Sequence, residues 1–148
     1  MKKWAQSLNL FVLSLILLVL SGVGTVTPTY EYYKDFTKIK ISWVADAAAA
    51  TVPNTDFSLC GTIERMVTNP GSTAPTANYD ISLTDEDGIK LDGLTLENRH
   101  TTNTEQVILN IAGSAGGFQQ VTYCGIVTFA LSGNSVNSAT GTLTIFLR

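Results

Sequence analysis

An all-β chain, an antiparallel β-sandwich of Greek-key or jelly-roll type preceded by an N-terminal apolar helix or signal segment, is what this sequence predicts. Three observations lead there. Six or seven segments alternate polar and apolar residues with period two, as a half-buried strand requires. Clusters of Gly, Pro, Asn and Asp punctuate them. Thr, Ser, Asn and Gly are plentiful whereas Lys and Glu are scarce, a balance that suits strands and turns better than surface helices.

Lys2 and Lys3 precede an apolar run from Leu8 to Gly24, with small Gly22 and Gly24 behind its leucine-rich centre. Basic end, apolar middle and small exit are the order of a signal peptide, with Thr25 as the new start, and an uncleaved anchor is the alternative. Both imply export. The organisation expected is therefore residues 1–24 as signal peptide or membrane anchor, 25–36 as a linker and 37–148 as the β-sandwich domain.

Within the domain, Thr37 to Val44 alternates with Ile39, Ile41 and Trp43 facing in. Ala45 to Asn54, with Pro53, reads as a loop. Phe57 to Thr68 places Leu59, Gly61, Ile63, Arg65 and Val67 on one alternating set and stops at the turn Asn69-Pro70-Gly71. Tyr79, Ile81 and Leu83 form the next inward set, ending at Asp85-Glu86-Asp87-Gly88. Ile89, Leu91, Leu94 and Leu96, broken by Gly93, fit either a bulged strand or two brief extended pieces. Gln106 to Ile111 is strand-like, Val121 to Leu131 is a long strand by its alternation, and Gly141 to Arg148 closes the chain as another. Strands of this number, each with one apolar face, are satisfied by two antiparallel sheets packed face to face.

Composition narrows the function classes. Apolar residues make up 45% of the 148, enough to fold a single domain, and a net charge of −3 leaves no cationic excess for phosphates, so nucleic acid is not an expected partner. Cys60 and Cys124 are the only cysteines and lie in no CxxC or Cys/His cluster. In an exported domain they can form one disulfide, and two separate buried thiols are the other reading. Asp85, Asp87 and Asp92, with Glu86, put four carboxylates in eight residues; Asp85, Asp87 and Asp92 are a candidate calcium loop, though the EF-hand spacing is missing and an Asp-Gly turn explains the same residues. His100 is the only histidine, near Arg99, Glu97 and Glu105, and no motif marks a nucleophile beside it, so a surface loop is the expected setting. Gly113, Gly116 and Gly117 fall between strands and read as turn glycines rather than a phosphate cradle. Tyr30, Tyr32 and Tyr33 suit a binding patch, a membrane-interface belt or packing on a sheet edge. No catalytic residue and no cofactor is expected.

From Ile39 onward, over about three quarters of the chain, the order of motifs resembles a family of small phage- and prophage-encoded proteins of uncharacterised function found among virion structural genes. The residues that carry it are Lys40-Ile41-Ser42-Trp43, the stretch from Arg65 through Asn69-Pro70-Gly71 to Thr76, Asn78-Tyr79-Asp80 through Asp85-Glu86-Asp87-Gly88, Asn98-Arg99, Thr102 to Val107, and Gly141 to Ile145. The resemblance implies a β-rich particle component, a head or tail accessory or decoration protein, and brings no catalytic residues with it. The apolar leader and the two cysteines depart from that family. The expected function is thus a non-enzymatic structural protein of a virion, repeated in an assembly of self or other subunits. The alternative is an exported or membrane-anchored binding module, associated with membrane through residues 8–24.

Overall fold

The computed structural model describes residues 22–109, 111–112 and 118–148. The leader through residue 21 and the turn glycines at 113, 116 and 117 lie outside the described residues. The strands are β1 (Thr25–Tyr32), β2 (Thr37–Val44), β3 (Thr55–Pro70), β4 (Asp80–Thr84), β5 (Glu105–Val107), β6 (Ile111–Ala112), β7 (Phe118–Gln119), β8 (Thr122–Ser132) and β9 (Thr140–Leu147). All pairings are antiparallel. Seven of these strands form one hydrogen-bonded path, β1-β2-β9-β3-β8-β4 with β5 on β3, and β6 and β7 make a small separate hairpin. The expected all-β antiparallel class is present. Two separate sheets are not: a single open path replaces them, because β3 belongs to both halves.

The sixteen residues of β3 divide by partner. Thr55 to Thr62 pair with β8, whereas Ile63 to Pro70 pair with β9, and Met66 to Thr68 also pair with β5. Two local features make the exchange. Gly61 has φ +146°, a region that side-chain-bearing residues rarely enter, and a Cβ there would stand 2.9 Å from the Arg148 carbonyl oxygen. The register with β9 then slips between Ile63 and Arg65, leaving Glu64 as an extra residue. A bulge of this kind bends a strand and reverses which face its side chains take. Phe57, Leu59 and Ile63 therefore point in, and beyond the bulge Met66 and Thr68 do, while Arg65 is exposed and Val67 only half-buried. Unbroken alternation had put Arg65 and Val67 on the inner set; the extra residue at 64 shifts them out.

The core draws on both halves. Ile39, Ile41 and Trp43 of β2 and Leu143, Ile145 and Leu147 of β9 meet Phe57, Leu59, Ile81, Leu83, Val127 and Phe129 in one buried cluster. Trp43 lies opposite Gly141 in the β2–β9 register, and its ring occupies the space that a side chain at 141 would need. The same ring meets Tyr79 at 5.8 Å, tilted by 59°, so β2 and the head of β4, at distant places in the strand order, are neighbours through their aromatic side chains.

Two further segments differ from expectation. Residues 25–36 are no linker: Thr25 to Tyr32 is β1, an edge strand in full register with β2. Residues 89–96 form neither a bulged strand nor two extended pieces. They turn repeatedly, with Ile89 and Leu94 exposed and Leu91 and Leu96 buried, and they lace the free edge of β4. Leu91 N–H donates to Leu83 C=O (2.8 Å), Ile81 N–H to Leu96 C=O (3.0 Å), Leu83 N–H to Asp92 Oδ1 (3.0 Å) and Arg99 N–H to Tyr79 C=O (2.7 Å).

Two measurements test this core. Gly141→Ala places a methyl 2.4 Å from Trp43 Cζ2, so the denaturation midpoint should fall by an amount equivalent to about 1–3 kcal/mol; an unchanged midpoint would show that Trp43 is not seated there. Burial, reinforced by Glu105 and opposed by Arg99, pushes the Tyr79 phenol up to about 12. The fold thus favours the neutral phenol over a value of about 10 in the unfolded chain. That contribution is complete below the unfolded value and is lost as pH rises through the folded one. Absorbance titration followed in parallel with circular dichroism should find one tyrosine ionising only as the fold is lost; ionisation of all five near pH 10 in an intact fold would refute it.

Candidate functional site

The candidate site is the end of the sheet formed by the β1–β2 hairpin and the last residues of β9. Alternation along β1 places Val26, Pro28, Tyr30 and Tyr32 opposite Trp43, Ile41, Ile39 and Thr37, hence on the face that looks toward the core. Tyr30 and Tyr32 overhang its margin. Their rings are parallel within 8°, with centroids 6.3 Å apart. In the turn beyond, Tyr33 and Phe36 stack at 4.3 Å and 11°. All four side chains are exposed, Tyr32 most of all at 78%.

Polar contacts fix this end. Tyr33 donates its hydroxyl hydrogen to Glu31 Oε2 (2.6 Å) and Lys38 Nζ donates to Glu31 Oε1 (2.9 Å). Those two donors hold the Glu31 carboxyl below its usual range, and the same bonds push Tyr33 and Lys38 up. The Tyr30 hydroxyl donates to Ser58 C=O (3.0 Å) and accepts from Ser58 N–H (3.1 Å). Why Ser58 needs it follows from register. Thr62 exchanges both backbone bonds with Arg148 at the end of β9 (2.7 and 2.9 Å). Alternation then turns the backbone groups of Asp56, Ser58 and Cys60 to the same edge, which β9 does not reach. One phenol serves both groups of the central residue.

A small slot of about 120 Å³ lies here, lined by Tyr30, Tyr32, Thr37, Ile39, Ser58, Cys60 and Leu147. Around the end of β9 is a second groove of about 330 Å³, bounded by Asp35, Phe36, Glu64, Arg65, Phe146 and Arg148 among others. In it the Arg65 guanidinium sits 4.1 Å above the Phe146 ring, and Glu64 pairs loosely with Arg148 at 3.9 Å.

Cys60 and Cys124 form a disulfide with Cα atoms 3.9 Å apart. They face each other across β3 and β8, and both are exposed on the outer side of the pair. Thr62–Thr122 (2.8 Å between hydroxyls) and Thr128 donating to Asp56 (2.7 Å) continue the same row. Closing a loop across a sequence separation of 64 residues constrains the unfolded chain, a contribution typically of about 2–4 kcal/mol.

The remaining candidates do not converge. Asp85 Oδ1 accepts from Asp87 N–H (3.0 Å) and Ile89 N–H (2.7 Å), shaping a turn completed by Gly88 at φ +78°. Asp92 is fully buried, with Oδ1 bonded to Leu83 N–H and Oδ2 without a partner among the described residues. Among the described residues no group of three or more His, Cys, Asp or Glu side chains is placed to hold a metal ion. His100 is exposed; its Nδ1 accepts from Thr102 N–H and Asn103 N–H, both at 3.0 Å, so the ring caps its own loop. Arg99 reaches Glu105 at 3.5 Å and the Glu97 carbonyl.

Sequence reasoning found Tyr30, Tyr32 and Tyr33 but not their companions Phe36, Arg65 and Phe146, nor the Tyr30–Ser58 bond. The alternation of Thr25, Thr27, Thr29 and Glu31 with Val26, Pro28, Tyr30 and Tyr32 was the available signal. No protein family, curated protein or solved structure matches the chain. The resemblance drawn above stands on its quoted residues alone.

Tyr30→Phe keeps the ring and removes the bond. The Ser58 amide should exchange with solvent deuterium measurably faster, with a stability loss of about 0.5–1.5 kcal/mol. Unchanged Ser58 protection, read by NMR, would show that the edge is closed by something else.

Proposed function

We propose that this chain is a non-enzymatic structural component of a phage particle, a head or tail accessory or decoration protein that works by burying surface against other subunits. The observation that carries the reading is the group Tyr30, Tyr32, Tyr33 and Phe36, exposed together and stacked in pairs on a hairpin. Tyrosines of this kind supply rigid, amphipathic contact area at interfaces, and soluble monomers seldom leave large apolar groups open to water. The resemblance over Arg65 to Gly88 supplies the particle context. On this reading the partners are virion or self subunits in repeated copies, without nucleic acid. The finer fold is a sandwich of Greek-key or jelly-roll kind whose layers share β3; the Trp43–Tyr79 and Tyr30–Ser58 contacts support it as bridges between layers.

The disulfide favours a second reading, an exported or membrane-anchored binding module, since such bonds persist in oxidising compartments. The apolar run would then be the targeting segment. Retention of the leader is supported by Gly24, whose Cα lies so close to the Thr51 carbonyl that a Cβ would stand 2.4 Å from it, and by Gly22, whose C=O accepts from Ala47 N–H (3.0 Å). A cut after Gly24 would remove both contacts.

Intact mass of the chain recovered from purified particles and from the membrane fraction, with and without thiol reduction, separates the two. The particle reading expects the chain as a repeated component of particles. A shortened chain starting near Thr25 and absent from particles overturns it in favour of the exported module.

A further inference from the structure

The slot at the end of β9 has a narrower chemistry than a general docking face. Two parallel phenol rings, Tyr30 and Tyr32, line it together with Thr37, Ile39, Ser58, Cys60 and Leu147; no charged side chain among the described residues is part of it. A phosphate, an acidic sugar or a basic peptide would find no counter-charge in that lining. Its volume of about 120 Å³ admits one small ring and not a helix.

An extended peptide adding to β3 is the natural competitor, because the backbone groups of Asp56, Ser58 and Cys60 face the edge that β9 leaves open. The Tyr30 hydroxyl holds the N–H and the C=O of the middle residue. A strand would have to break both bonds before making its own. A ligand that stacks its C–H face on a phenol and offers hydroxyls along the margin of the slot leaves them intact.

We propose that this slot binds a neutral saccharide, one pyranose ring lying on the exposed face of Tyr32, with its hydroxyls meeting the Thr37 hydroxyl and the free-edge backbone groups of Cys60. Position agrees with this use. Gly24 and Tyr32 are separated by the length of β1, roughly 25 Å at the usual rise per residue, so the slot lies at the far end of β1 from Gly24. The inference deepens the reading of the aromatic end as the working face and rests on it.

The test is titration of the full chain with maltohexaose, cellohexaose and chitohexaose, followed by amide NMR shifts and by calorimetry. Saturable binding of at least one, with shifts centred on Tyr30, Tyr32, Thr37 and Cys60, is the expected result. Tyr32→Ala should weaken that binding about tenfold or more, the loss of one stacking contact with its buried area, at an unchanged melting temperature. Ile89→Ala, at an exposed side chain on the segment along β4 and outside the slot, should bind as the native chain does. Failure of all three sugars to bind overturns the proposal, as does a Tyr32→Ala variant of undiminished affinity. Extended peptides that bind and displace the Tyr30–Ser58 bond while sugars do not would overturn it in favour of strand addition. The chain found in particles yet binding no sugar refutes this inference and leaves the assembly role; sugar binding by a chain absent from particles refutes the assembly role alone.

Discussion

Everything in this fold depends on β3 changing partners midway. A sixteen-residue strand of uniform pleat would carry one flat sheet and expose one face of its apolar set to water. The backbone at Gly61 and the extra residue Glu64 instead give β3 two differently directed halves. The first half is bonded to β8, the second to β9 and β5. Only with that bend can Trp43 on β2 and Tyr79 beside β4 touch, and only then do residues from both halves share one core. The disulfide belongs to the same place. Cys60 immediately precedes Gly61, so the cross-link ties β3 to β8 two residues before their pairing ends at Thr62.

An open sheet must also deal with its edges, and here each edge is handled by a different chemistry. At β4 the segment 89–99 supplies backbone and carboxylate partners, which explains why a stretch with four apolar residues is not a strand: its leucines dip inward where they can, and its amides bond the edge. At β1 the device is Pro28. Tyr33 N–H donates to Phe36 C=O, which makes the odd-numbered residues of β1 the ones bonded to β2 and leaves position 28 facing outward, where a missing N–H costs nothing and denies a neighbour its partner. At the first half of β3 it is the Tyr30 hydroxyl. Two of these three devices lie on β1.

The strands with one buried face were legible in the sequence because period-two alternation is enforced by burial, and β2, β4, β8 and β9 take the faces that Ile39, Tyr79, Val127 and Leu143 predict. What escaped notice has physical causes. A bulge has no compositional mark when the extra residue is an ordinary glutamate, so the phase of Arg65 and Val67 was out of reach. In β1 a proline and a run of threonines resemble a linker, since an edge strand facing solvent on three sides needs few apolar residues. The site was legible only as a string of tyrosines. Phe146 and Arg65 join it from strands distant in sequence, and the Tyr30–Ser58 bond depends on the bend in β3, which brings an unpaired strand edge beneath a ring belonging to the opposite margin of the sheet.

This dual employment of Tyr30 links stability to the surface presented at the aromatic end. Its hydroxyl closes the edge of β3, and its ring forms one wall of the slot beside that edge. A tyrosine free to rotate would offer a poorly defined surface and would lose side-chain entropy on binding. One tethered at its hydroxyl has already given up that freedom during folding. Glu31 does the same for Tyr33 through a 2.6 Å bond, and stacking against Phe36 completes it. Tyr32 alone among the three tyrosines has no hydroxyl partner among the described residues, and its ring is by far the most exposed of the four. The end of the molecule therefore consists of an ordered aromatic frame around one ring left open, an arrangement in which the cost of ordering the surface is met by the fold and the open ring contributes its contact area to whatever it meets.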